Sequence, residues 1–266
     1  MSDSSRFKKL VAAALLITAA TPAFAGDNGK KYVVATSADF PPLSYRSSDS
    51  NQIVGFEIDM IKALSKHGSW SYDLKTSNFN GLLPSLKSGR VDMVVSDIYN
   101  TAERRKSVDF VNYLKNGFAI MVTKRNADAI GGYEDLCGKR VGVLTGSAPE
   151  LDAIKKASQK HCESQGQDAI QLKSYPAVAQ EIPQLANGRL AGIFETLTSL
   201  AYAQKQKEGQ FEIAFRDPHT TNVGIAVRKD SAVTDQLRKD MAWYMQSSQA
   251  EANAKKWGIP ASALAR

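Results

Sequence analysis

The chain has 266 residues, 43% hydrophobic and 23% charged, with a formal net charge of +7. Those proportions exclude a disordered or fibrous polymer, and the length fits one large α/β domain or two lobes of ordinary size. The basic residues are scattered and never interleave with aromatics in a dense run, which argues against nucleic-acid binding.

Residues 1–25 read as a signal peptide. Arg6, Lys8 and Lys9 give a positive start, the stretch from Leu10 to Ala20 is apolar apart from Thr18, and Ala23-Phe24-Ala25 is a small-x-small cleavage pattern. The apolar stretch is shorter than the roughly 20 residues of a bilayer-spanning helix. No cysteine follows it to carry a lipid, and no later run is long and apolar enough to cross a membrane. A periplasmic protein without direct membrane insertion is expected. In that oxidising compartment Cys137 and Cys162 should pair. With His67, His161 and His219 they show no metal-ligand spacing, so no metal is expected.

Tyr32 to Thr36 reads as a strand, followed by the breaker-rich Asp39-Phe40-Pro41-Pro42 and a turn region from Ser47 to Gln52. Ile58, Met60, Ile61 and Leu64 recur at near-helical spacing and predict an amphipathic helix ending near Gly68. Tyr72 to Lys75 reads as a strand, Asn80 as the N-cap of a helix closing at Gly89, and Val91 to Val95 as a further strand. That β-α-β order predicts a parallel sheet covered by helices.

The pattern then repeats. Arg140 to Leu144 is a strand, and Ser147-Ala148-Pro149-Glu150 is a capping box opening a helix through Leu151 and Ile154. Gln180 to Asn187 reads as a helix, Leu190 to Phe194 as a strand, and Val233 to Gln246 and Ala250 to Trp257 as two closing helices. Strand-like crossings near 117–122 and 222–227 separate the two units. An α/β fold of two β-α-β lobes joined by a two-strand hinge is therefore expected, with the first lobe at 26–116 and 224–266 and the second at 117–223.

Recognition chemistry gathers at a few places. Thr101 can cap a helix whose first turn holds Arg104, and a helix start beside a guanidinium makes an anion clamp. By spacing alone, an ordinary capped helix with a surface arginine is the favoured reading of the two. Gly146-Ser147-Ala148 presents a second helix start. Phe40, Phe79 and Tyr99 sit at strand-to-helix edges, where aromatics either sandwich a ligand or pack in a core. No G-x-S-x-G elbow, H-E-x-x-H, Walker loop or dinucleotide fingerprint occurs, and no catalytic set assembles.

Taken in order, these stretches resemble the extracellular (periplasmic) amino-acid-binding proteins of ABC importers, solute-binding family 3, with the type II periplasmic-binding fold. The matching runs are Asp39-Phe40-Pro41-Pro42-Leu43-Ser44-Tyr45, Val54-Gly55-Phe56-Glu57-Ile58-Asp59 and Gly81-Leu82-Leu83-Pro84-Ser85-Leu86-Lys87-Ser88-Gly89-Arg90-Val91-Asp92. They continue in Thr101-Ala102-Glu103-Arg104, Val108-Asp109-Phe110, Leu136-Cys137-Gly138-Lys139-Arg140-Val141-Gly142-Val143, Gly188-Arg189-Leu190 and Lys256-Trp257-Gly258. The resemblance implies a binding protein with no enzymatic activity and no cofactor. It would deliver a small carboxylate ligand to the importer's membrane subunits by hinge closure.

By the same resemblance, Arg104 grips the ligand carboxylate, and the Ser147-Ala148 turn completes the grip with backbone N–H groups. Phe40 and Phe79 stack on the ligand, while Asp97 and Tyr99 lend a carbonyl and a hydroxyl to its ammonium. Four positions depart from the family pattern: Tyr99 is bulkier than the usual serine or threonine, Ser37 replaces an aspartate common in cation-selective members, and Thr196 and Ala191 also differ. Thr196 stands where an aspartate usually pairs with the ammonium, with Glu195 beside it as a substitute, and Ala191 replaces the aspartate of the G-R-x-D motif. These departures favour an N-substituted amino acid, an opine-like conjugate or a betaine-like acid. The alternative on this fold is a lyase resembling cyclohexadienyl or arogenate dehydratase, with Glu195 as its buried acid.

Overall fold

The computed structural model describes residues 29–265, so the expected signal peptide lies outside the described residues. Strand β1 (Lys31–Thr36) runs inward to buried Val34, Ala35 and Thr36. A small antiparallel sheet follows, made of β2 (Asp39–Phe40), β3 (Ser44–Arg46) and β4 (Ile53–Val54), with a cis Pro41–Pro42 bond in its first turn. Gly55 admits the chain into α1 (Phe56–His67) at φ 135°. A Cβ there would lie 2.1 Å from the Leu43 carbonyl oxygen, so only glycine lets hairpin and helix meet.

Strand β5 (Ser71–Thr76) lies parallel to β1, in register from Lys31 opposite Ser71 to Thr36 opposite Thr76. Helix α2 (Phe79–Lys87) begins one residue before the predicted cap: Asn78 is its N-cap and Asn80 lies within its first turn. Helical geometry at residue 79 buries the Phe79 ring against Phe40, Leu82 and Leu86, and that burial outweighs the capping preference of Asn80. Strand β6 (Met93–Val94) is short, and α3 (Ala102–Arg105) is a single turn.

Two long strands follow the order of the chain: β7 (Val108–Thr123) early and β11 (Phe211–Arg228) late. Between them come β8 (Arg140–Leu144), α4 (Ala148–His161), β9 (Gln171–Tyr175), α5 (Glu181–Ala186), β10 (Gly192–Thr196) and α6 (Leu197–Gln206). Strand β10 starts two residues later than predicted, because Gly188 at φ 70° and the Ala191 N–H bond to the Arg140 carbonyl still belong to the turn out of α5. The predicted capping box does not form. Glu150 reaches past Ser147 to accept the Leu144 amide at 2.8 Å, and the Ser147 side chain accepts no helix amide.

The eight strands form one sheet in the order β5-β1-β6-β11-β7-β10-β8-β9. Strands β7 and β11 pair antiparallel along nearly their whole length, so the two predicted short crossings are parts of much longer strands. One end of this pair completes the sheet with β6, β1 and β5, and the other with β10, β8 and β9. The result is a two-lobed α/β fold with a two-strand hinge. Helices α7 (Val233–Gln246) and α8 (Ser248–Lys256) return to α1. There Asp240 accepts Trp70 Nε1 at 3.0 Å, and Asn253 Nδ2 donates to the Phe56 carbonyl at 2.9 Å.

A disulfide joins Cys137, before β8, to Cys162 at the end of α4, across a separation of 25 residues. Closing a loop of that size stabilises the fold by about 3 kcal/mol in the chain-entropy model. Replacing both cysteines with alanine should lower the unfolding free energy by about that amount. Urea titrations of the variant and of the wild type, with and without reductant, check this, and reductant should leave the variant unchanged.

Candidate functional site

The candidate site forms where the loop after β6 meets the hinge. Residues 97–100 are tied to β11: the Asn100 N–H donates to the Asn222 carbonyl at 2.8 Å, and the Gly224 N–H to the Ile98 carbonyl at 3.0 Å. Asp97 turns the chain at φ 49°, a left-handed conformation that aspartate tolerates better than most residues. Its amide donates at 2.8 Å to the buried carboxylate of Glu57. The Asp97 carboxyl accepts the Asn116 amide of β7 at 3.2 and 3.1 Å, and the same Asn116 nitrogen donates to Thr198 Oγ1 at 2.8 Å.

Thr101 caps α3 as predicted, its Oγ1 accepting the Arg104 amide at 3.2 Å. The Arg104 guanidinium folds back, and Nη1 donates to the Tyr99 carbonyl at 3.0 Å. Burial lowers its pKa to about 10, while Tyr99 and Asp97 oppose the shift. It is therefore a fixed cation at neutral pH, aimed by a capped turn and by one backbone contact. The Tyr99 ring leaves this loop and stacks on Phe118 with centroids 5.0 Å apart, and its hydroxyl donates to the Gly117 carbonyl at 3.3 Å. Position 99 thus serves the arginine through its carbonyl.

The second lobe meets the first at Gly146. A Cβ on this residue would lie 2.6 Å from Asn80 Cβ, so the loop before α4 abuts the start of α2. Phe40 and Phe79 pack on each other at 5.4 Å and share a cluster with Leu144 and Val178 of the second lobe. Within the turn, the Ser147 amide bonds the Leu144 carbonyl at 3.4 Å and the Ala148 amide bonds the Gly146 carbonyl at 3.0 Å. The structure therefore brings Phe40, Phe79 and the Gly146–Ala148 turn together, and separately Asp97, Arg104 and Thr196 at the hinge.

Strand alternation separates the two neighbours on β10. Glu195 shares the face of Ile193, beneath which α5 packs, whereas Thr196 shares that of Phe194 and faces Asp97. Glu195 lies with Glu150 and Glu181, all three fully buried, with carboxyl oxygens that lack a hydrogen-bond partner. Burial pushes Glu195 up to about 8, with Asp97 and Asp39 adding to the rise, and it drives Glu150 and Glu181 well upward too. Asp97 is pushed up to about 7 by burial and then by Glu57, against Asn116, Thr196 and Arg104.

The sequence reading missed Asn116, Glu181, Glu150 as a buried acid, and Asp39, which burial also raises. The sequence carries no distinct signal for Asn116: β7 also holds Asp109, Asn112 and Lys115, and of these four only Asn116 is buried, where a polar group needs a hydrogen-bond partner. Among the described residues no group of three acidic, histidine or cysteine side chains is placed to hold a metal ion.

Residues 32–260 match the sequence model of the family described as bacterial extracellular solute-binding proteins, family 3. The chain is 30% identical to the arginine-binding extracellular protein ArtP of Bacillus subtilis (strain 168), over 93% of this chain and 96% of ArtP. It is 32% identical to ABC transporter arginine-binding protein 1 of Escherichia coli (strain K12), over 88% of this chain and 92% of that protein. A solved ancestral arginine-binding protein bound to arginine superposes with a TM-score of 0.77 at 29% identity, over 85% of this chain and 97% of its own. Each of these relatives is named as a binding protein.

Two outcomes follow from this geometry. Asp97 and Glu195 keep their protons in the folded chain at pH values where the unfolded chain has lost them. The folded state therefore holds extra protons between about pH 4 and about pH 7 to 8, so stability falls as pH rises across that window and levels off above it. Thermal unfolding from about pH 4 to 8 should show a falling midpoint, and Asp97→Asn should flatten the part between about pH 4 and 7. Separately, Gly146→Ala should hold the lobes apart. Small-angle scattering should then give a larger radius of gyration than the wild type, and adding Asn80→Gly should restore it.

Proposed function

The chain belongs to family 3 of the bacterial extracellular solute-binding proteins, and from that premise we propose that it captures a small zwitterion, an amino acid or a derivative of one, for an ABC importer. The observation that carries the reading is Arg104. It is a charged guanidinium held by the Thr101-capped turn and the Tyr99 carbonyl beside the acid of Asp97, at the junction of two lobes. Such a fork pairs with a carboxylate. Asp97 favours a cationic group next to it, because a neighbouring positive charge relieves the cost of ionising a buried acid. Export by the leader at 1–25 and delivery to membrane subunits from the periplasm complete the reading.

Residues 26–116 with 224–266 form the first lobe in this account, and 117–223 the second. The pairing of β7 and β11 shifts register between Arg216 and Thr220, opposite Gly117, and again between Val223 and Gly224. Such irregularities are where a two-strand hinge bends. Ligand contacts from both lobes stabilise closure because they exist only in the closed form.

The finer reading concerns the ammonium. Thr196 offers a hydroxyl where a second carboxylate would suit a free α-ammonium, and this supports an N-substituted amino acid, an opine-like conjugate or a betaine-like acid. The lyase alternative gains little from Glu195, which shares its strand face with Ile193 above α5 and is surrounded by other acids. Its relatives are named for binding.

A thermal-shift screen of the standard amino acids against N-substituted and quaternary-ammonium acids, with mass spectrometry of copurified molecules, tests this. A ligand at 100 times its dissociation constant should stabilise the protein by about 2.7 kcal/mol. Arg104→Gln should abolish the shift while leaving the unliganded protein folded. Submicromolar binding of a standard amino acid would overturn the finer reading alone, and an undiminished shift in Arg104→Gln would overturn the carboxylate clamp.

A further inference from the structure

A groove of about 710 Å³ lies across the junction of the lobes. Its floor is Asn116, Gly117 and Thr220 of the hinge strands. Tyr45 of the first lobe and Tyr202 of α6 meet along it, with rings 5.6 Å and hydroxyls 3.3 Å apart, and Trp257 stands edge-on to Tyr45 at 6.1 Å. Arg104, Phe40 and Phe79 are not among its lining residues, and it adjoins the cleft described above through Asn116 and Thr198.

The charged residues that line the groove have one sign, and a neighbouring carboxylate, Asp59, lies outside the lining and accepts Trp257 Nε1 at 2.9 Å. Lys115, Lys205, Arg216, Lys255 and Lys256 line the groove, and no aspartate or glutamate does. Lys256 is paired with Asp59 at 2.6 Å and lies over the Trp257 ring at 5.0 Å. Among the described residues, Lys115, Lys205, Arg216 and Lys255 have no carboxylate within ion-pair distance. Like charges held together in this way repel, and the nearby low-dielectric wall focuses their field into the concavity. The volume suits a small organic molecule, and apolar walls with a few convergent charges are the usual make-up of such a site.

We infer that this groove is a second ligand site, for a small amphipathic anion: a carboxylate or sulfonate carried on an aromatic or aliphatic body. The body lies on Tyr45, Tyr202 and Trp257, and the acid group meets the lysines and Arg216. A simple inorganic anion would leave the aromatic wall unused, and a cation would be repelled.

The probe is 8-anilinonaphthalene-1-sulfonate, whose fluorescence rises in apolar surroundings, titrated into the purified protein alongside the uncharged N-phenyl-1-naphthylamine. Saturable binding of the sulfonate is expected, weakening with added salt. The uncharged dye should bind more weakly by about tenfold or more, as for any site read by charge complementarity. The double reversal Lys205→Glu/Lys255→Glu should weaken the sulfonate by about tenfold or more without changing the far-ultraviolet circular dichroism, and Tyr202→Ala should weaken both dyes. Arg104→Gln should leave the sulfonate unaffected. The inference is overturned by any of three results: no saturable binding, equal binding of the two dyes with no effect of the charge reversal, or loss of binding in Arg104→Gln, which would put the probe in the cleft.

Discussion

The Glu57 carboxylate is the fixed point of the site. It has no solvent exposure, and a buried acid of this kind is tolerable only when its oxygens are filled. Ser44 Oγ donates at 2.7 Å, the Asp97 amide at 2.8 Å, and the Tyr113 hydroxyl makes a further short contact. These donors come from the β3 hairpin, the loop after β6 and hinge strand β7. The Asp97 amide and the Tyr113 hydroxyl share Oε1, whereas Ser44 is the donor to Oε2, so losing the Ser44 hydroxyl would leave a buried acceptor unpaired, at a cost of roughly 1–3 kcal/mol. The three segments are therefore locked in one arrangement, and the left-handed turn at Asp97 is held by that lock.

From this point the network runs outward to function. Asp97, placed by Glu57, accepts Asn116, and Asn116 in turn holds Thr198 at the start of α6 in the second lobe. Arg104 is set by the Tyr99 carbonyl in the same loop. Side chains of both lobes thus meet through a few polar contacts in a dry interior, where each contact is stronger than in water and each unmet partner is more costly.

The electrostatics of the cleft are lopsided. Asp39, Asp97, Glu195, Glu150 and Glu181 are all raised by burial, and Arg104 lies beside one of them, Asp97. A fold that keeps several acids out of water holds them protonated, and it gains when a ligand brings a positive charge close to them. The hinge-side groove reverses this pattern, with cations around tyrosines and a tryptophan. Both concavities lie where the paired long strands run between the lobes.

Much of this protein was legible along the chain. The alternation of apolar strands and periodic helices gave β1, α1, β8 and α7 nearly to the residue, because those elements bury a face whose period is written locally. Thr101 and Arg104 were equally legible, since a cap and the turn it opens lie within four consecutive residues. The long hinge strands, the strand face on which Glu195 lies, the retreat of the Tyr99 ring onto Phe118, and the joining of Asp97 to Asn116 were decided by tertiary structure alone. Each depends on which distant segment lies opposite. A buried acid does not announce its partner in sequence: the donor that makes its burial affordable is chosen only when the chain closes around it.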